Sequence, residues 1–284
     1  MLQGDVTVYS PPTLVEALRV LAEGGGEIRP LAGGTDAMVK FKDGLWRPRA
    51  WVNLLHLRGE LNYIRRDGHW LEVGALTTFS ELLASPLIRD GAPLLAKAAR
   101  TIGGPQIRNM GTIGGNIGTA SPAGDSLPAL YALEATVIIN NNCHRPIDQF
   151  MLGPGRLKLA SGELITGVRF RAQSPDELCT FEKLGLRAAH AISIASVAVR
   201  LGAGMARVAL GAVAPTVSRV PAAEAALVDP INVTAAVAAA KAAAMPISDV
   251  RAGAGYRRAM AGNLLLRGLI RLLGPEVMPD AAAR

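Results

Sequence analysis

The chain is poor in the residues that build inorganic cofactor sites. Its two cysteines, Cys143 and Cys179, are too few and too far apart for an iron–sulfur cluster or a structural zinc, and they read as free thiols. The four histidines, His56, His69, His144 and His190, show no metal-ligand spacing. A redox carrier held here is therefore organic, and any metal or cluster belongs to another chain. Aromatic residues make up 4% of the sequence, too few for the stacking platforms of single-stranded nucleic-acid binders. Half the residues are hydrophobic, yet no apolar run reaches the about 18 residues that span a bilayer. The opening M-L-Q-G-D-V has no basic region followed by an apolar stretch, so a soluble, cytoplasmic protein is expected. Thirty basic against twenty-three acidic residues give +7, with no block of like charges. That balance reads as a solvated basic surface or as a positive face for acidic partners or phosphate. Neither a G-x-G-x-x-G fingerprint nor a G-x-x-x-x-G-K-[ST] phosphate loop is present.

Glycine is what the chain has in excess, and it is concentrated. From Thr101 to Pro128 the sequence reads T-I-G-G-P-Q-I-R-N-M-G-T-I-G-G-N-I-G-T-A-S-P-A-G-D-S-L-P. Glycine costs about 1 kcal/mol relative to alanine in a regular element, so this stretch is expected to be loop. Its N–H groups, with Thr112, Asn116, Thr119 and Ser121 between the glycines, would suit a phosphate or pyrophosphate; a turn-rich surface loop is the plainer alternative. A second, shorter loop bears on the choice. Ile28–Ala32 reads as a short strand, Gly33-Gly34-Thr35-Asp36 follows, and Ala37–Lys42 looks helical. Strand, double glycine and a helix opened by Thr and Asp present free N–H groups to an anion, although Thr35 or Asp36 also suits a plain N-cap. Two such loops suggest a dinucleotide held from two sides.

The remaining elements alternate helix and strand. Thr13-Leu-Val-Glu16 and Thr78-Phe-Ser-Glu81 are capping boxes, and Asp67-Gly68 joins Tyr63–Arg66 to Trp70–Gly74 as a hairpin. Pro93–Ile102 and Ser126–Glu134 read as helices flanking the glycine-rich loop, and Thr136–Asn140 as a strand. Glu163–Arg171, Leu178–Lys183, Ala191–Leu201 and Ala206–Val213 read as strands, with a domain boundary in Ala172–Glu177. Ala222–Leu227, Thr234–Ala244 and Tyr256–Leu273 read as helices, the last with Leu264, Leu265, Leu269 and Leu272 on its apolar side.

A-G-G-T-D (Ala32–Asp36), T-I-G-G-N (Thr112–Asn116) and S-P-A-G-D-S-L-P (Ser121–Pro128) resemble the FAD-binding medium subunit of the molybdenum hydroxylases, the carbon monoxide dehydrogenase, xanthine dehydrogenase and aldehyde oxidoreductase family. The resemblance extends over nearly the whole chain, through T-V-Y-S-P-P-T-L-V-E-A-L, F-M-L-G-P-G-R and Y-R-R-A-M-A-G-N-L-L-L-R. It implies an α+β fold, a two-lobed FAD-binding domain of the vanillyl-alcohol-oxidase-like (PCMH) type followed by a smaller α+β C-terminal domain. The divisions would be 1–56, 57–173 and 174–284. By the same resemblance Pro30, Leu31, Ala32, Gly33, Gly34, Thr35, Asp36 and Ala37 would line the pyrophosphate. Thr112, Ile113, Gly114, Gly115 and Asn116 would form the opposite wall, so that Gly114→Val should abolish flavin binding with the fold largely intact. Ile102 holds a place where the family has an apolar residue near the cofactor, and Asp125 would accept from a sugar or ribityl hydroxyl, or else cap the helix at Ser126. Ile165 or Thr166 would lie against the isoalloxazine, and Lys183 matches the family's flavin-side lysine. No catalytic acid or base is implied.

The implied activity is electron transfer through non-covalent FAD. The molybdenum cofactor would be on a large partner subunit and two [2Fe-2S] clusters on a small one, in a dimer of heterotrimers, with no nucleic acid and no membrane insertion. The sequence departs from the family pattern at His190, where relatives often carry an acid, and lacks the cysteine-bearing insertion of the benzoyl-CoA reductases. A self-contained flavin oxidase and an FAD-less scaffold module are the rival readings. Many enzymes of the first kind hold flavin covalently through a His in the first glycine loop, where this chain has Thr35.

Overall fold

The computed structural model describes residues 6–277; Met1–Asp5 and the Ala281–Arg284 tail lie outside them. The first lobe is a three-stranded parallel sheet with Ala50–Asn53 between Thr7–Tyr9 and Ile28–Leu31. Pro30 falls on an edge strand, where its missing N–H costs the ladder nothing. Leu14–Glu23 crosses between the first two strands, with Thr13 Oγ accepting from Glu16 N at 3.3 Å. Leu14, Ala17 and Leu21, at helical spacing, pack with Ile28 and Val52 into the small core of this lobe.

The second lobe is built on a five-stranded antiparallel sheet in the order Ile64–Asp67, Trp70–Gly74, Ile165–Arg171, Thr136–Ile139, Cys143–Pro146. The hairpin turns at Gly68, whose φ of +55° suits glycine. The central strand arrives last, and it fills the middle of the sheet with Val168 and Phe170 fully buried. Short helices cover one face. The capping box at Thr78 is reciprocal: Thr78 Oγ accepts from Glu81 N and Glu81 accepts from Thr78 N at 2.8 Å. Pro93–Arg100 and Ser126–Ala132 complete this core.

The C-terminal sheet is antiparallel, Leu178–Leu184, Ala195–Gly202, Met205–Gly211 and Ser218–Arg219. Its period-2 pattern serves two cores at once. Cys179, Phe181 and Ala198 point into the core of the second lobe, whereas Val197, Val199 and Leu201 pack under the helices Pro221–Ala226, Val233–Ala243 and Ala254–Leu273. A strand buried on both faces loses the apolar–polar alternation, which explains the consecutive apolar residues Val197, Ala198 and Val199.

Buried within this sheet, Arg200 forms a two-pronged ion pair with Glu177. Burial pushes the Glu177 carboxyl up, but the Arg200 hydrogen bonds and charge outweigh it and hold the group below its ordinary value. A lowered carboxyl stabilises the fold above the unfolded value of about 4.3, and that contribution is lost as pH falls through the folded one. Glu177→Gln should therefore flatten the acid limb of the stability–pH curve below about pH 4.3. Unfolding midpoints in urea across pH 3–7 test this, and curves of equal slope for both chains would refute it.

Two sequence expectations are corrected here. The strand expected over Ala191–Leu201 begins at Ala195. Residues 185–193 form a loop that the Ile194 N to Leu184 O bond closes at 2.8 Å, and His190 has φ +55°, which no strand tolerates. The glycine-rich stretch contains two helices, Pro105–Met110 and Ile113–Thr119, where loop was expected. In the second, Thr112 caps the start and tertiary carbonyls hold the backbone, so packing overrides glycine's poor propensity.

Candidate functional site

A cleft of about 800 Å³ lies between the two glycine segments, and it is bounded by both lobes and by the C-terminal loop at Ala191 and Ile192. Its volume falls in the range of a small-molecule or cofactor site. The first wall is the loop that leaves the edge strand at Leu31. Among the described residues the backbone N–H groups of Gly33, Gly34, Thr35, Asp36 and Ala37 have no acceptor. All five residues line the cleft. Five uncommitted N–H groups in succession are a concave cradle for an oxyanion. Asp36 sits among them without repelling an anion: its Oδ2 is paired to Lys40 Nζ at 2.8 Å and accepts from Thr119 Oγ at 3.0 Å. Neither it nor Thr35 caps the helix Ala37–Lys42 with its side chain. Pro30 and Ala32 also line the cleft; Leu31 does not, and its carbonyl accepts from Leu54 N.

The opposite wall works differently. The N–H groups of Ile113, Gly114 and Gly115 donate to Thr77 O, Ala75 O and Thr112 Oγ, each at 3.0 Å. The start of this helix therefore offers no free backbone donors, contrary to the expectation from its glycines. Gly114 is where the helix touches the backbone of Ala75, and an added Cβ would overlap Ala75. Gly114→Val thus breaks packing between helix and hairpin and is not the selective flavin-binding lesion expected from sequence. Ile113 is fully buried in the core, whereas Thr112, Gly114, Gly115 and Asn116 line the cleft. Asn116 takes the Ser126 hydroxyl on its Oδ1 at 2.6 Å, so its amide N–H groups remain as donors.

The two walls meet at Gly33. A methyl on this residue would run into the Met110 carbonyl, so the first loop rests directly on the backbone that precedes the second helix.

At the C-terminal side, Ile102 and Ile165 line the cleft. Thr166 is turned into the sheet, donating to Ile138 O and accepting from Asn141 N, so of the two candidates Ile165 is the one in the wall. Asp125, 7% exposed, lines the cleft too, but its oxygens are engaged. Ser193 Oγ donates to Oδ1 at 2.6 Å, and Lys183 Nζ and Thr101 Oγ reach Oδ2 at 2.5 and 3.3 Å. Burial pushes the Asp125 carboxyl up, with the Lys183 ammonium pulling against it. Lys183 also donates to Thr101 O at 3.0 Å. The pair ties the C-terminal sheet to the second lobe behind the cleft, and Lys183 is not among the lining residues. Asp125 makes no side-chain cap to the helix Ser126–Ala132.

Sequence reasoning missed Trp46, which lines the other end of the cleft with the Arg29 guanidinium 4.4 Å and the Lys40 ammonium 4.5 Å from its ring centroid. No local signal marked it, because it lies in the loop between the helix Ala37–Lys42 and the strand Ala50–Asn53.

A long cleft with an oxyanion cradle on one wall, amide and hydroxyl donors on the other and apolar side chains at one end defines a site for a dinucleotide cofactor, on a scaffold unrelated to the G-x-G-x-x-G fold. A family model described as the FAD binding domain in molybdopterin dehydrogenase matches residues 4–171, and one described as the CO dehydrogenase flavoprotein C-terminal domain matches residues 180–272. The chain belongs to the FAD-binding medium subunits of the molybdenum hydroxylases, and it is an oxidoreductase subunit. It is 31% identical to the carbon monoxide dehydrogenase medium chain of Hydrogenophaga pseudoflava over 272 residues, covering 92% of this chain and 94% of that one. It is 35% identical to the nicotinate dehydrogenase FAD-subunit of Eubacterium barkeri over 210 residues, 71% and 68% of the two chains. The solved carbon monoxide dehydrogenase from Hydrogenophaga pseudoflava lacking the Mo-pyranopterin moiety superposes with a TM-score of 0.91 at 32% identity, covering 96% of this chain and 98% of that one. FAD fits the residues present: its diphosphate matches the five uncommitted N–H groups and its ring the apolar end.

Proposed function

We propose that the chain carries electrons between partner subunits and an external acceptor through FAD held non-covalently in this cleft. The cradle of unpaired N–H groups at Gly33–Ala37 carries this reading. FAD supplies the redox chemistry, accepting electrons singly and releasing them in pairs, and the protein supplies binding, orientation and electrostatics. The first loop binds the diphosphate, Asn116 and Thr112 donate from the opposite wall, and Ile102 and Ile165 exclude water from the ring end. Asp125 and Lys183 hold the C-terminal loop against the cleft. Electrons would arrive from [2Fe-2S] clusters on a small partner, downstream of a molybdenum cofactor on a large one, in a dimer of heterotrimers. The names of the relatives, medium chains of such dehydrogenases, support those partners. We place the three units at 1–56, 57–173 and 174–284, and the complex in the cytoplasm. No helix among the described residues is long and apolar enough to cross a membrane.

The absorption spectrum of the purified chain, before and after acid precipitation, tests the reading. Bands at roughly 370 and roughly 450 nm, released into the supernatant, are expected of non-covalent flavin. Flavin kept in the pellet would favour the self-contained covalent oxidase, and a colourless chain that takes up no added FAD would favour the scaffold reading.

A further inference from the structure

The helix Ala254–Leu273 opens with a buried cation. Arg257, 3% exposed, lies in its first turn, where the macrodipole disfavours positive charge. Burying a guanidinium is costly as well, and an apolar side chain would avoid both costs. The charge is balanced. Nη2 donates to Asp249 Oδ1 at 2.6 Å, and the Arg251 N–H together with the Arg257 guanidinium holds the Asp249 carboxyl below its ordinary value. The other terminal nitrogen points elsewhere. Nη1 donates to Ile194 O at 2.9 Å and to Ala212 O at 3.1 Å. Ile194 precedes the strand Ala195–Gly202 and Ala212 follows the strand Met205–Gly211. Ser196 lies opposite Gly211, so the two carbonyls sit at the same end of this ladder. Each belongs to a stretch that reaches the flavin cleft. Just before Ile194, Ala191 and Ile192 line the cleft and Ser193 donates to Asp125. Ala212, at a φ of +62° that disfavours alanine, donates its N–H to Pro122 O at 2.8 Å. Ser121 and Ala123, on either side of that proline, line the cleft. One guanidinium thus grips two stretches of the C-terminal wall from behind, and Arg257 itself does not line the cleft.

We propose that Arg257 is a positioning residue for the flavin: it fixes the spacing between residues 191–193 and 121–123, and so the closure of the wall at the ring end of the cleft. The inference rests on the FAD reading above. A planar, forked donor suits the task, because one rigid group reaches both carbonyls and the carboxylate. A lysine ammonium on a shorter stem would hold fewer of them. The Ser193 bond to Asp125 secures the same loop from the cleft side, so removing Arg257 loosens this wall without detaching it.

The test is flavin release from the full chain loaded with FAD. Flavin content of the parent is read first, because a parent that takes up no flavin refutes the FAD reading and this inference with it. Arg257→Met should release FAD about tenfold faster on dilution, followed by the recovery of free-flavin fluorescence. The visible circular dichroism of the bound flavin, which reports the asymmetry of its surroundings, should change in the same variant. Arg200→Met is the control, since it breaks a buried ion pair at the far end of the same strand. It should lower the urea midpoint while leaving release rate and dichroism at the parent's values. General loosening would move both variants alike, so the difference between them reads the positioning role. If Arg257→Met does not fold, Arg257→Lys keeps the charge beside Asp249 and should show the same changes at smaller size. Parental release and dichroism in the folded Arg257 variant overturn the proposal, as does an equal acceleration by Arg200→Met.

Discussion

A Gly33→Val chain is expected to purify colourless. The added side chain meets the Met110 carbonyl, a backbone group that cannot swing aside as a flexible side chain would. Either the first loop or the segment before Gly111 has to move, and the N–H groups of Gly33–Ala37 move with it. Overpacking of this kind costs about 1–3 kcal/mol, and if the whole cost falls on the cofactor-bound state, affinity drops by about ten- to a hundredfold. Flavin-to-protein ratio after gel filtration and the melting temperature with and without added FAD report the two effects separately. Gly59→Ala is the control, since nothing lies within 4 Å of a Cβ there. A Gly33→Val chain with the parent's flavin ratio and melting temperature would show that contact between the loops does not shape the cleft.

The second large effect is expected at Asp125. Asp125→Ala leaves the Lys183 ammonium, whose side chain is 12% exposed, without its counter-ion. Stranding a buried charge typically costs about 3–5 kcal/mol. The double variant Asp125→Ala/Lys183→Met removes both charges and should recover most of the loss, because the intact pair is already expensive to bury. Burial opposes ionisation of Asp125 even in the native state. Urea unfolding of the parent, both single variants and the double variant gives the coupling directly. A loss in the double variant equal to the sum of the two single losses would mean that the two residues act independently, and that the ties of Ser193 and Thr101 to Asp125 do the holding.

Local signals were the most legible part of the sequence. The Thr78 capping box, the Asp67-Gly68 hairpin and the strand–glycine–helix passage at Ile28–Lys42 each depend on residues a few positions apart, and each is present. Of the residues marked for the site, the first loop from Ala32 to Ala37 lines the cleft in full. What the sequence hid depends on distant partners. The glycines of Ile113–Thr119 read as loop because the carbonyls of Thr77 and Ala75 that hold the helix come from another element. Asp125 and Lys183 were each placed beside the cofactor, and nothing local to either showed that they bind each other across 58 residues. The hairpin Met151–Gly153 with Arg156–Leu157 is too short to carry a periodic signal, and Ala191–Ile194 looked like strand until His190 broke it.

The contrast between the two glycine segments bears on how such a protein can change over time. In the first, the backbone is left open for a visitor, so a lineage that gave up FAD would be free to rewrite Thr35–Ala37, with Gly34 kept by its φ of +69°. In the second, the glycines hold one part of the chain against another, and the chain itself is the customer. That segment would persist as a fossil signature after the cofactor had gone.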